Sequence, residues 1–138
     1  MTFSQAISTC FRKYLSFQGR APRSEYWWFV AFQAAVGFVL GIFKLELFSK
    51  ELGNLLTLVF KLVLLPPVIA VTVRRLHDVG LSGWWQLLGL LLIIAVLILY
   101  AQFGWWLFLP IIVVVVIVGT YLMCKPGDAQ ANQYGPAP

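Results

Sequence analysis

Apolar residues in this chain form four long runs separated by short polar stretches. The runs cover residues 26–43, 52–73, 84–103 and 105–123. A membrane-spanning helix needs about 17–25 mostly apolar residues, so each run is long enough to cross once. The last two runs are almost continuous, and a turn at residues 102–104 is expected to fold the chain back. This pattern predicts an all-α membrane protein with a four-helix transmembrane bundle.

The residues before the first run have a different pattern. Their apolar side chains recur at helical spacing and the opposite side is polar, which predicts an amphipathic helix over residues 2–17. Thr2 and Gln5 have the spacing of a capping box at its start. Two interpretations are open for this segment. It is either an interfacial helix lying in the headgroup region, or a helix packed on the cytoplasmic ends of the spans.

The composition supports a membrane protein that forms a single domain over residues 1–138. Hydrophobic residues make up 61% of the chain and charged residues 11%. Soluble domains are about 45–50% apolar and about 25% charged. A soluble fold of this size could not bury so much apolar surface. The polar tail, residues 124–138, is rich in Gly, Pro and Ala and resembles a short disordered extension, although Asn132 to Pro136 has the composition of a turn.

The distribution of Lys and Arg predicts the orientation. In a four-span arrangement, Lys44 and Lys50 fall on one side of the membrane and the other basic residues outside the spans fall on the opposite side. Cytoplasmic loops collect Lys and Arg, so both termini are expected in the cytoplasm. No cleavable signal is evident. Cys10 and Cys124 are then on the reducing side, and no disulfide is expected. The net charge of +5 points to anionic lipid headgroups rather than to nucleic acid.

Charged and aromatic residues cluster where the chain enters the first span and where it passes from the second span to the third. Tryptophan favours the membrane interface, so these clusters are expected at the headgroup level. In the four-span arrangement they lie on the cytoplasmic side together with the turn sequence of the tail. We call the following set the rim and treat it as the candidate binding site: Arg20, Arg23, Glu25, Arg74, Arg75, His77, Asp78, Trp84, Trp85, Asn132 and Tyr134.

Local spacing predicts how the loop after the second span is built. If that helix continues to Asp78, Gly80 is placed to cap its C-terminus. Arg74 and Arg75 come four and three residues before Asp78, so either one can pair with it. Ser82 is placed to cap the start of the third span.

The rim has two main interpretations. In the first, Glu25 and Asp78 form ion pairs with arginines, and these pairs hold the helices together at the cytoplasmic side. In the second, Arg20, Arg23, Arg74 and Arg75 hold the phosphate of an anionic lipid.

Enzymatic chemistry is less favoured. His77 and Asp78 are adjacent in a helix and face different sides. One histidine and two separated cysteines give no metal-ligand set. No catalytic residue, metal or cofactor is therefore predicted.

Lys61 lies near the middle of the second span, where a charge is costly. Pro66 and Pro67 remove backbone donors, so carbonyls near Leu62 and Val63 lose their partners. Gln33 and these carbonyls are candidate neighbours for Lys61. Alternatively, its long side chain snorkels to the interface. A transport path built on Lys61 would require an oligomer.

Three motifs carry a resemblance to a known family. They run from Phe17 to Trp27, from Arg74 to Trp85, and from Asn132 to Pro138. Together they resemble the bacterial inner-membrane family "domain of unknown function 805" (YhaH-like). The resemblance implies a small multi-pass protein of the bacterial inner membrane, and it implies no mechanism.

On this basis we expect an envelope interaction or lipid-binding protein that acts through the rim. Its expected partners are membrane lipids, including anionic phospholipid, and a second copy or another membrane protein. The alternative is a small transporter or channel component that acts as a homo-oligomer, and a membrane enzyme is less favoured.

Overall fold

The computed structural model describes residues 1–46, 49–103 and 105–138, and it leaves the side chains of 44–46, 103 and 105–108 undescribed. Within these residues the chain forms five α-helices, which confirms the all-helical prediction. They are α1 (Phe3–Arg12), α2 (Arg23–Glu46), α3 (Lys50–Asp78), α4 (Trp84–Phe103) and α5 (Trp105–Cys124). The turn expected at 102–104 includes Gly104, which lies outside the described residues, as do the side chains of Trp105 and Trp106.

Three helices of the described chain are long and apolar enough to cross a membrane. These stretches are Arg23–Phe43, Lys50–Asp78 and Trp84–Gln102, and α5 adds a shorter apolar stretch, Leu109–Cys124. Many large aliphatic side chains along these helices are exposed. Water would make such exposure unfavourable, whereas lipid solvates it. The chain is therefore an integral membrane protein.

The chain divides into two compact units. The first contains Met1–Phe17 and Ser24–Val71, and the second contains Gln18–Arg23 and Thr72–Pro138. The helix α3 contributes its longer N-terminal part to the first unit and its last two turns to the second. Most of the predicted rim residues therefore belong to the second unit.

The first helix begins as predicted and ends earlier than predicted. The Thr2 hydroxyl accepts from the Gln5 N–H at 3.4 Å, and the Gln5 side chain accepts from the Thr2 N–H at 2.9 Å, which is the capping box. The helix ends at Arg12 rather than at residue 17. Lys13 N–H still donates to the Thr9 carbonyl at 2.9 Å, after which the chain turns.

Within the first unit, α1 packs against α2. Cys10 is fully buried. The Phe3 ring meets Trp28 edge-on with centroids 5.6 Å apart, and Phe11 meets Phe29 in the same way at 6.0 Å. Edge-to-face pairs add to the stabilisation from burial itself. Of the two interpretations offered for this segment, these contacts support a helix packed on a span.

The paired prolines of α3 are accommodated inside a continuous helix. Pro67 has no N–H to donate to the carbonyl four residues earlier, that of Val63. The hydroxyl of Tyr14 donates to this carbonyl instead. A backbone acceptor in a membrane span needs such a partner because lipid supplies none. The early end of α1 and the turn that follows it bring Tyr14 to this position.

Candidate functional site

The C-terminus of α3 ends in a Schellman motif, which confirms Gly80 as its cap. Gly80 has φ +76°, a left-handed conformation that favours glycine. The N–H of Leu81 donates to the Leu76 carbonyl at 2.9 Å, and that of Gly80 donates to the His77 carbonyl at 3.1 Å. The motif stops the helix at Asp78 and fixes the direction of that side chain.

The start of α4 follows after a tight connection. The Ser82 hydroxyl accepts from the Trp84 N–H at 3.4 Å, in line with its predicted capping role. A Cβ on Gly83 would lie 2.7 Å from a Val73 methyl group, so the connection passes too close to α3 for any side chain there. Trp84 and Trp85 begin α4 with 76% and 53% of their surface exposed. They are therefore available to the membrane interface.

Asp78 is the centre of a buried ionic cluster. Its Oδ1 accepts from Arg20 Nε at 2.9 Å, and Arg20 Nη2 lies 2.8 Å from the same oxygen. Its Oδ2 accepts from Arg75 Nη1. All three side chains are buried. The predicted pairing of Asp78 with a preceding arginine is thus made by Arg75, and a second arginine joins from the segment before α2. We call Arg20, Arg75 and Asp78 the Asp78 cluster.

The other donors of the two arginines are satisfied by main-chain carbonyls. Arg20 donates to the Gln130 carbonyl at 2.8 Å and to the Asp128 carbonyl. Arg75 donates through Nε to the Met123 carbonyl at 3.1 Å. Met123 lies in the last turn of α5, where carbonyls have no intrahelical partner and a positive charge is favourable. Arg75 therefore caps α5 while it pairs with Asp78.

The C-terminal tail docks on the end of α3. Asp128 N–H donates to the Asp78 carbonyl at 2.8 Å, and the Asn132 amide donates to the His77 carbonyl at 2.9 Å. The Tyr134 ring stacks on the His77 ring with centroids 3.8 Å apart and planes 2° from parallel. The tail is therefore an ordered segment, and the interpretation as a disordered extension is wrong.

Glycine is required where the tail crosses the Asp78 cluster. A Cβ on Gly127 would lie 2.0 Å from Asp78 Oδ2, a distance that no real Cβ contact shows. The segment before α2 also contacts the last turns of α3. Ala21 N–H donates to the Arg74 carbonyl at 3.0 Å, and His77 Nδ1 lies 3.1 Å from the Gly19 carbonyl. These contacts position Arg20 beside Asp78.

Two cations of the second unit remain exposed. Arg23 is exposed and donates through Nη1 to the Cys124 carbonyl at 3.3 Å. Lys125 follows directly and is also exposed. This exposed pair at the end of α5 differs from the two buried arginines of the Asp78 cluster.

The remaining predicted residues lie elsewhere. Arg74 is fully buried in the second unit. Glu25 is buried in the first unit, where Cys10 Sγ lies 3.8 Å from its Oε1. Gln33 and Lys61, proposed from the sequence as neighbours, line one cavity of about 300 Å³ in the first unit.

Sequence reasoning missed the part played by Gly127, Asp128 and Gln130. Asp128 and Gln130 accept from Arg20 through their main-chain carbonyls, which have no residue signature, and the Asp128 carboxylate accepts from the Asn132 amide. A signal was present for Gly127: a Pro126-Gly127 pair directly after a span marks a turn that redirects the chain.

Comparison with known proteins adds a family match. A family model described as "protein of unknown function (DUF805)" matches residues 14–136. The inner membrane protein YhaH of Escherichia coli (strain K12) is 33% identical over 129 residues, covering 92% of this chain and 90% of YhaH. The inner membrane protein YhaI of the same strain is 33% identical over 127 residues, covering 92% and 89%. No solved structure matches.

Proposed function

We propose that this chain, which belongs to the DUF805 family of proteins of unknown function, binds an anionic phospholipid at the inner membrane. The two relatives described above are both named inner membrane proteins. The headgroup phosphate contacts Arg23 and Lys125. The observation that carries this proposal is the exposure of these two cations at the end of α5, where Arg23 donates to the carbonyl of the residue before Lys125 and the buried Arg75 donates to that of Lys125 itself.

The two arginines of the Asp78 cluster support the proposal indirectly. Arg20 and Arg75 give their donors to Asp78 and to main-chain carbonyls, so they stabilise the fold. Arg23 donates to the Cys124 carbonyl through one guanidinium nitrogen, Nη1. A guanidinium has five N–H donors, and its fork matches two phosphate oxygens. Arg23 can therefore take a phosphate without breaking the cluster.

Electrostatics favours an anion at the same place. Arg23 and Arg75 donate to two consecutive carbonyls at the end of α5, those of Cys124 and Met123, so their like charges lie at one helix end and repel each other. A phosphate beside Arg23 would offset that repulsion. The exposed rings of Trp84 and Trp85 suit the headgroup level, which is where a lipid phosphate is found.

The proposal includes a topology with four crossings and both termini in the cytoplasm. We expect a fluorescent protein fused after Pro138 to fluoresce, and alkaline phosphatase inserted after Ser49 to be active, because Lys and Arg collect on the cytoplasmic side. Reporter activity in intact cells measures both positions. A cytoplasmic signal at Ser49 would contradict the proposed topology.

The headgroup contact predicts a loss of affinity when both cations are removed. Each basic residue near an anionic surface contributes about 1 kcal/mol, so the Arg23→Ala, Lys125→Ala variant should bind phosphatidylglycerol roughly 30-fold more weakly. Native mass spectrometry of the detergent-solubilised protein, titrated with phosphatidylglycerol and with phosphatidylcholine, measures this change.

The matched control removes two exposed cations elsewhere. Arg12→Ala, Lys13→Ala changes the net charge equally in the first unit. A specific site loses phosphatidylglycerol only in the Arg23, Lys125 variant, and Arg23→Lys reduces binding as well because it removes the fork. Equal losses in both double variants would indicate general attraction to anionic lipid and reject the site.

A further inference from the structure

A groove runs between α4 and α5 within the second unit. Its volume is about 330 Å³, and its walls are almost entirely apolar. This volume lies within the range of small-ligand sites, about 300–1,000 Å³. The side chains that form its length come from both helices and include Leu88, Leu92, Val114, Val118 and Leu122. We call this space the α4–α5 groove.

Two glycines give the groove its depth. Gly89 of α4 and Gly119 of α5 both line it. A Cβ built on either residue would meet no atom within 4 Å. Glycines that let helix backbones approach closely would leave no such space. Here they leave the groove open between the two helices.

One end of the groove lies at the turn of α5 that Arg23 contacts. Met123 lines the groove, and the next carbonyl, that of Cys124, accepts from Arg23. Gln86 lines the groove in the first turn of α4, and its Oε1 is buried with no hydrogen-bond partner among the described residues. Polarity therefore changes from the exposed Arg23 at the end of α5, through the Gln86 amide at this end of the groove, to its apolar length.

This order matches the order of groups in a phospholipid: phosphate, glycerol esters and hydrocarbon. From Trp85 to Leu92 the groove follows α4 over seven helical steps, a length of about 10 Å at 1.5 Å per step. A partner helix is about 10–12 Å across with its side chains, which is too wide for a space of this volume. A single hydrocarbon chain is narrower and fits.

We infer that the α4–α5 groove holds one acyl chain of the phospholipid whose phosphate contacts Arg23. This inference rests on the proposed function and adds the chain to the headgroup. It requires that affinity depend on acyl chain length, since a short chain leaves the apolar part of the groove unfilled.

The test compares two phosphatidylglycerols, one with hexanoyl and one with oleoyl chains. The unmutated protein in detergent should bind the oleoyl lipid at least tenfold more tightly by native mass spectrometry. Gly119→Leu adds a side chain to the wall of the groove, where its Cβ meets no atom within 4 Å, and should lower oleoyl affinity to the hexanoyl value. Gly89→Leu should do the same from the facing helix. Gly37→Leu is the matched control because Gly37 lies on α2 and is also open.

The outcomes separate the two proposals. Equal binding of both lipids by the unmutated protein would overturn the acyl site, whether or not the glycine variants fold. Unchanged oleoyl affinity in folded Gly119→Leu and Gly89→Leu would overturn it too. In both cases, weaker binding of phosphatidylglycerol by the Arg23→Ala, Lys125→Ala variant would still support the headgroup site. If chain-length dependence is present but that variant binds normally, the groove stands and the headgroup contact is wrong.

Discussion

Replacing Asp78 by alanine is expected to lower the free energy of unfolding in detergent by about 3–5 kcal/mol, the usual cost of removing one partner from a buried ionic cluster. Its carboxylate accepts from Arg20 and Arg75, and all three side chains are buried. Without it, two guanidinium groups remain buried with no counter-charge. The carboxylate also fixes Arg75, which caps α5, so the loss extends to a second helix.

Circular dichroism during thermal unfolding measures this effect. Asp78→Asn keeps the shape and removes the charge, so it should be intermediate. Glu51→Ala is the control because Glu51 is an exposed carboxylate in the first turn of the same helix, where the effect should stay below about 1 kcal/mol. An Asp78→Ala protein as stable as the unmutated one would show that the cluster does not stabilise the fold.

The sequence predicts those parts of the fold that depend on short-range chemistry. The apolar runs anticipate the helices, because lipid accepts only backbones whose hydrogen bonds are made internally. Gly80 and Thr2 identify helix ends because a left-handed cap and a capping box involve residues within one or two turns. The spacing of Arg74 and Arg75 before Asp78 predicts for the same reason that one of them pairs with it, and in the structure Arg75 forms the pair.

The contacts that the sequence does not predict join residues far apart in the chain through the backbone. Tyr14 donates to the Val63 carbonyl, and Arg20 donates to the Gln130 carbonyl. Carbonyl acceptors are present at every residue, so no residue type marks them. The composition of the tail is also typical of disorder, whereas its order comes from the donors and carbonyls at the end of α3.

Charge pattern alone also did not distinguish the arginines. From the sequence, four of them form one candidate anion site, whereas in the structure some of their side chains are buried and one is exposed. Arg20 and Arg75 are buried against Asp78, and Arg23 is exposed. A guanidinium that already donates to a carboxylate and to carbonyls has few donors left for a ligand. The arginines that stabilise the fold and the exposed arginine are therefore different residues.

Removing the tail after Pro126 is expected to lower the free energy of unfolding by about 3–5 kcal/mol, since hydrogen bonds to charged groups contribute about 1.5–3 kcal/mol each. Arg20 would lose the Gln130 and Asp128 carbonyls. The carbonyl of His77 would lose the Asn132 amide. The truncation keeps Met123 and Lys125, which are the acceptors of Arg75, so it tests the tail separately from the cap of α5.

The control deletes only Ala137 and Pro138, which are exposed, and should leave stability unchanged within about 0.5 kcal/mol. Asn132→Ala removes three side-chain hydrogen bonds, to the His77 carbonyl, to the Asp128 carboxylate and from the Tyr134 N–H, and should give about 1–2 kcal/mol of the truncation effect. Thermal unfolding of the three variants in one detergent measures the series. If truncation after Pro126 and the two-residue deletion unfold at the same temperature, the docked tail contributes nothing to stability, and the Asp78 cluster must be held by Arg20 and Arg75 alone.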